Sequence, residues 1–148
     1  MTAETFTHRM EIDIEFGDCD PAGIVYFPNF FRFFDNAAAH MFADTLGLNK
    51  REWTKRFGIV GIPVVDVNAV FKSPSRFGDR VTIESTVLSF GRTSFRIGHR
   101  LINAGTLAVE GEATRVWIAA DPSDPDKLRP VPIPEEVRNA LGHGTING

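Results

Sequence analysis

The feature that most constrains this chain is a change of hydrophobic period along its length. Between residues 30 and 46 the apolar positions include 30, 33, 34, 37, 38, 41, 42 and 46, which is one helix face sustained over about four and a half turns. Pro28 suits the first helical position, where a missing N–H is no loss, and Gly47 supplies a stop. After Gly58 the period becomes two. Ile62, Val64, Asp66, Asn68 and Val70 share one face and Val65, Val67, Ala69 and Phe71 the other; both faces are largely apolar, which predicts a central strand covered on both sides. A turn over 74–79, a strand over 81–90 and a turn at Gly91-Arg92-Thr93 follow. Phe95, Ile97, His99 and Leu101 then alternate with Ser94, Arg96, Gly98 and Arg100, a hairpin turn falls at Asn103-Ala104-Gly105, and a strand runs over 107–118. Upstream, Met10, Ile12 and Ile14 alternate with Glu11, Asp13 and Glu15, a half-buried strand from residue 7.

One long helix against about five antiparallel strands is an α+β architecture. The stretch from Asp121 to Pro134 holds five prolines, so regular structure is expected to stop near Ala120. The chain then crosses in extended form to a short helix at 135–138, with Pro134 near its first turn. The whole, 1–148, is expected to form a single domain with a Pro-rich C-terminal segment, 121–148. A sheet covered by one helix leaves a face or an edge open, which predicts pairing with a second copy and at least a homodimer.

Composition removes several function classes. Lys and Arg number 16 against 19 Asp and Glu, without the basic excess of a duplex nucleic-acid partner. No run of about 18 apolar residues exists, so no membrane partner is expected. The N-terminus has no signal-peptide pattern, and the single Cys19 makes no internal disulfide; a cytoplasmic location is expected. Phe occurs 13 times against one Tyr and two Trp, which points to an aromatic core, an apolar ligand tunnel, or both.

The familiar catalytic motifs are missing: no Gly-x-Ser-x-Gly elbow, P-loop, Gly-x-Gly-x-x-Gly or His-Glu-x-x-His. His8, His40, His99 and His143 are scattered without metal-ligand spacing, and no metal or cofactor is expected. His40 on the helix and His99 on an apolar strand face read as hydrogen-bonded structural residues. What remains is the loop from Phe16 to Asn29, with Asp18, Asp20, Gly17, Gly23, Pro21 and Pro28. Two readings stay open. The carboxylates either make side-chain turns ahead of Pro21, or Asp20 is held beside the free N–H groups at the helix start, where a developing oxyanion would find a donor.

The run Ile14-Glu15-Phe16-Gly17-Asp18-Cys19-Asp20-Pro21-Ala22-Gly23-Ile24-Val25-Tyr26-Phe27-Pro28-Asn29 resembles the hallmark segment of the 4-hydroxybenzoyl-CoA thioesterases. The likeness continues through 58–65 and Asn68-Ala69-Val70-Phe71, the turn at 74–79 and the stretch 128–134. It implies a hot-dog fold, a long helix wrapped by a curved antiparallel sheet, in dimers that pair into tetramers with sites at subunit interfaces. It also implies hydrolysis of an acyl-CoA thioester. Asp20 takes the position of the catalytic carboxylate, as nucleophile or as general base, and the Phe27 backbone N–H that of the oxyanion donor. Pro28 is expected to drive Phe27 from helical angles and so leave that N–H free. Gly23, Tyr26 and Asp35 fall on the acyl side, Asp35 at the position where the 4-hydroxybenzoyl enzyme recognises its substrate's phenol; Gly23 stays open to a tight-turn role, and Asp35 to a solvated place on the helix or an ion pair with Arg32. Arg92 and Arg129 match nucleotide contacts, with fewer basic neighbours than the benzoyl-CoA enzyme carries. Phe27 stands where Tol-Pal-associated relatives carry His. Alternatives are a thioesterase for short or medium acyl chains, a non-catalytic acyl-CoA-binding module, and a hydratase.

Overall fold

In the computed structural model, which describes residues 5–143, the helical run forms α1 (Pro28–Leu46). Residues 1–4 and 144–148, included in the expected 1–148 domain, lie outside the described residues. Pro28 opens α1, and Gly47 closes it in the left-handed region at φ 70°. Before it come β1 (His8–Asp13) and a 3-10 turn at Phe16–Asp18. After it come α2 (Lys50–Phe57), β2 (Val64–Phe71), β3 (Arg80–Phe90), β4 (Ser94–Asn103) and β5 (Thr106–Val116). The five strands pair antiparallel in the order β1-β3-β4-β5-β2.

The apolar stripe of α1 packs on one face of this sheet. Phe30, Phe33, Phe34, Ala37, Ala38, Met41, Phe42 and Leu46 are buried against Val81, Ile83, Ile97, Leu101, Val109 and Ala113. Each large side chain so covered contributes about 1.5–3 kcal/mol. The closest approach is at the sheet centre. The Phe34 ring stacks on His99 with centroids 4.9 Å apart and planes 6° from parallel. It lies over Gly111, where an added Cβ would sit 2.8 Å from Phe34 Cε2. Glycine here makes room for a ring rather than for a turn.

Two expectations are corrected and one unforeseen element is added. β2, read as a central strand, is the sheet's edge: Val64, Val65, Val67, Val70 and Phe71 are all exposed in the protomer, Val65 by 62%. Periodicity reports that both faces are apolar and is silent about what covers them. The chain also does not fall irregular at Ala120. β6 (Ile118–Asp121) and β7 (Asp124–Pro130) form a two-stranded hairpin. β6 is bonded on its other side to the 60–61 segment, and β7, which carries Pro125 and Pro130, is the outer strand, where proline is tolerated. Finally α2, with Asn49 and Glu52 in a reciprocal capping box, carries no helical periodicity to announce it, because Trp53 is its one buried side chain. That indole stacks on Phe42 and Trp117. The closing helix, α3 (Glu135–His143), starts where expected and runs longer than 135–138.

Gly111→Ala should lower the urea midpoint by the equivalent of about 1–3 kcal/mol, the usual cost of overpacking a tight contact. An unchanged midpoint would mean that Phe34 is free to move aside and that the seating of α1 is looser than described.

Candidate active site

The loop ahead of α1 is built around two aspartates with different tasks. Asp18 is buried. Its carboxylate accepts from the Glu15 N–H at 2.8 Å and from Arg32 Nη2 at 2.5 Å. Its backbone carbonyl accepts from the Tyr26 N–H and from Asn29 Nδ2. Asp18 thus ties both loop ends to the first turn of α1, and it takes Arg32, which had been one possible partner for Asp35. Cys19 bridges to Val25, and between them Asp20, Pro21, Ala22 and Gly23 make a tight turn. The Gly23 N–H donates to the Asp20 carbonyl and the Ala22 N–H to Asp20 Oδ1, both at 2.9 Å. Asp at the first position, Pro at the second and Gly at the last are the residues a type I turn prefers. Gly23, at φ +81° and with open space where a Cβ would stand, is there for the turn.

The turn reading of Asp20 is seen directly: Oδ1 is held by the turn, while Oδ2 has no hydrogen bond among the described residues and the side chain is half-exposed. Phe27, at φ −53° and ψ −35°, has helical angles. The expectation that Pro28 would push it out of them is corrected, since that bias is a preference and not a prohibition. Its N–H nonetheless finds no acceptor among the described residues, because the chain four residues earlier is still turning and offers no helical carbonyl. The Phe27 ring is exposed, packed on Tyr26 and Phe71. A cavity of about 260 Å³ beside it is lined by Ile24, Phe27, Phe30, Phe71 and the 72–75 turn.

Farther along the same face of α1, Phe31 and Asp35 follow Phe27 at helical spacing. An apolar cavity of about 210 Å³ lies there, between Phe31, Phe34, Val64 and Val67, with Asp35 and Arg115 among its walls. Arg115, on β5, is buried; Nη2 donates to Asp35 Oδ1 at 2.7 Å and Nη1 to the Ile62 carbonyl at 3.0 Å. His99 lines this cavity as well. Its Nδ1 is 2.7 Å from Ser85 Oγ. Burial, and next the Arg115 charge, push its imidazole down to about 3, against a smaller opposing pull from Asp35.

The sequence matches the Thioesterase-like superfamily over residues 14–141. It is 35% identical over 130 residues, 86% of this chain and 92% of the relative, to the 4-hydroxybenzoyl-CoA thioesterase of Pseudomonas sp. strain CBS-3. The chain belongs to the Thioesterase-like superfamily. Among solved structures, an Asp-to-Asn mutant of 4-hydroxybenzoyl-CoA thioesterase complexed with 4-hydroxybenzoyl-CoA is similar at TM-score 0.82 and 33% identity, over 91% of this chain and 98% of that one. A gentisyl-coenzyme A thioesterase is similar at TM-score 0.76 and 30% identity, over 90% and 98%. The architecture is the hot-dog fold, and the chain is a thioester hydrolase.

Within the chain, the residues singled out from sequence fall into separate groups. Asp20, Gly23, Tyr26 and Phe27 surround the start of α1, bonded to the 75–79 turn that feeds β3. Arg92 lies past the other end of β3, with its carbonyl accepting from the Ile133 N–H. Arg129, exposed on β7 opposite Ala119, belongs to that same far end through the Trp117 to Thr93 backbone bond. At strand rise, the length of β3 puts roughly 30 Å between Arg92 and the Asp20 loop. Arg115 and His99 were not foreseen as site residues. An arginine at an inward position of an alternating strand was the available signal for the first, and a partner 80 residues away hid its role.

The buried histidine makes stability depend on pH. The folded imidazole takes a proton only near 3 and the unfolded one near 6.5, so the unfolded state binds more protons between those values and stability falls as pH drops through that window. Urea unfolding at pH 7 and pH 5 should differ by about 2 kcal/mol more in the wild type than in His99→Gln. Equal pH responses in the two proteins would show that His99 is not held neutral.

Proposed function

We propose that the protein hydrolyses aromatic acyl-CoA thioesters to the free acid and CoA. The observation that carries this is the pairing, at the start of α1, of an unclaimed Phe27 N–H with a carboxylate held by its own turn. A thioester carbonyl bound there meets a donor for the oxygen that becomes negative. Asp20 acts on the carbonyl carbon, either by Oδ2 attack to give a mixed anhydride that water then opens, or by taking a proton from the attacking water. In either route the C–S bond breaks and CoA leaves as the thiol. One oxyanion donor of this kind is worth about 2.7–4 kcal/mol in the transition state.

The acyl group is assigned by length and lining. Asp35 lies eight residues beyond Phe27 on one helix, about 12 Å along its axis. That is close to the span of one para-substituted benzoyl group with a hydrogen bond at each end. The wall between is Phe31, Val64, Val67 and Phe71. The relatives named above act, by their names, on 4-hydroxybenzoyl-CoA and gentisyl-coenzyme A.

The site is completed by a second copy. β2 presents an apolar edge on both faces, which a dimer joining two β2 strands would cover and pair. Arg92 and Arg129, too far from Asp20 in their own protomer, are then nucleotide contacts for a site that draws on more than one chain. Further pairing of dimers into tetramers belongs to the same reading, as does a single domain over 1–148.

Asp20→Asn should cut kcat on 4-hydroxybenzoyl-CoA by at least about a hundredfold with the melting temperature unchanged; turnover at the wild-type rate would remove Asp20 from the chemistry. Sedimentation should return at least twice the protomer mass, and Val65→Lys on the β2 edge should shift it toward the monomer with loss of turnover. A monomeric, fully active wild type would overturn the shared site.

A further inference from the structure

Arg115 is an expensive residue where it stands. Its side chain is 6% exposed, yet its anionic partner, Asp35, is 61% exposed. Its Nε has no hydrogen-bond partner among the described residues, and neither does the buried Nε2 of neighbouring His99. A buried guanidinium that is incompletely bonded rarely repays its desolvation, and a well-packed apolar side chain in its place is often as stable or more so. His99 carries part of the burden, since the Arg115 charge helps to keep its ring unprotonated. Stability alone gives no reason for such a group. What the arrangement accomplishes is to fix one oxygen of an otherwise exposed, freely rotating carboxylate on the wall of the apolar cavity, while Nη1 is itself anchored on the Ile62 carbonyl.

We infer that Arg115 is a positioning residue for substrate selection: through its bond to Asp35 Oδ1 it aims Oδ2 at the far end of the acyl cavity, so that the enzyme prefers aryl groups bearing a hydrogen-bond donor there over the unsubstituted ring. The inference rests on the proposed aromatic thioesterase activity and deepens it. An acceptor held in place discriminates, because a ring lacking the donor displaces water from that oxygen on binding without returning a hydrogen bond. A planar fork braced at two acceptors also holds direction in a way that a lysine cannot.

The test compares kcat/KM for 4-hydroxybenzoyl-CoA and benzoyl-CoA in wild type, Arg115→Met, Arg115→Lys, Asp35→Ala and the double variant Asp35→Ala with Arg115→Met, each checked by thermal melting. The wild type should prefer the hydroxylated substrate by about tenfold or more. Arg115→Met should lose about that factor more on the hydroxylated substrate than on benzoyl-CoA, bringing its ratio to that of Asp35→Ala. The double variant should show the same ratio as Asp35→Ala. Arg115→Lys, which keeps the charge and serves if the methionine variant does not fold, should give an intermediate ratio. A merely structural arginine would depress both substrates together, and an unmoved ratio in a folded Arg115 variant overturns the inference while leaving the thioesterase reading intact. A wild type that turns over neither substrate overturns that reading, and this inference with it.

Discussion

The contact on which the rest depends is the one between Phe34 and the sheet. Its ring lies flat on His99 and over Gly111, at a spacing that a single Cβ would forbid. That contact sets how deeply α1 sits and how it is rotated about its axis. Rotation decides everything downstream, because Phe27, Phe31 and Asp35 share a face. With Phe34 turned into the core, that face is directed along β2, where Phe71 meets Phe27 and Phe31, and Asp35 meets Arg115.

The helix start and the loop before it are tied together by polar contacts. The start supplies an N–H with no acceptor among the described residues, a group that helix geometry leaves unsatisfied at every N-terminus. The Asp18 network holds the loop against that start, and the Asp20 turn holds the second carboxylate clear of it. Two acids one residue apart thus differ in burial and bonding: Asp18 is buried and tied to Glu15 and Arg32, and Asp20 is part-exposed with one oxygen in its own turn.

Much of this was legible in the residues. The 3.6 period gave α1 with its Pro28 start and Gly47 stop, and alternation gave β1, β3, β4 and β5, because each has one buried and one open face. The Asp-Pro-Ala-Gly stretch declared its turn through residues with fixed turn preferences. Other features resisted. α2 buries one side chain and so has no period to detect. The β6–β7 hairpin was hidden by prolines, which exclude a strand from a sheet interior but not from a free edge. β2 looked central because an edge apolar on both faces has the same pattern as a strand covered on both.

The sequence by itself determined local conformation: which residues would turn, which would coil and which acid would occupy the loop. These follow from backbone sterics and from apolar spacing, both of which act within a few residues. Only the tertiary structure decided the pairings. Arg32 went to Asp18 and Arg115 to Asp35, Arg92 was carried to the opposite end of the sheet from Asp20, and His99 was kept neutral. Those outcomes depend on strand order and helix seating, which bring together groups up to 80 residues apart, and on burial, which sets how strongly the assembled charges act on one another.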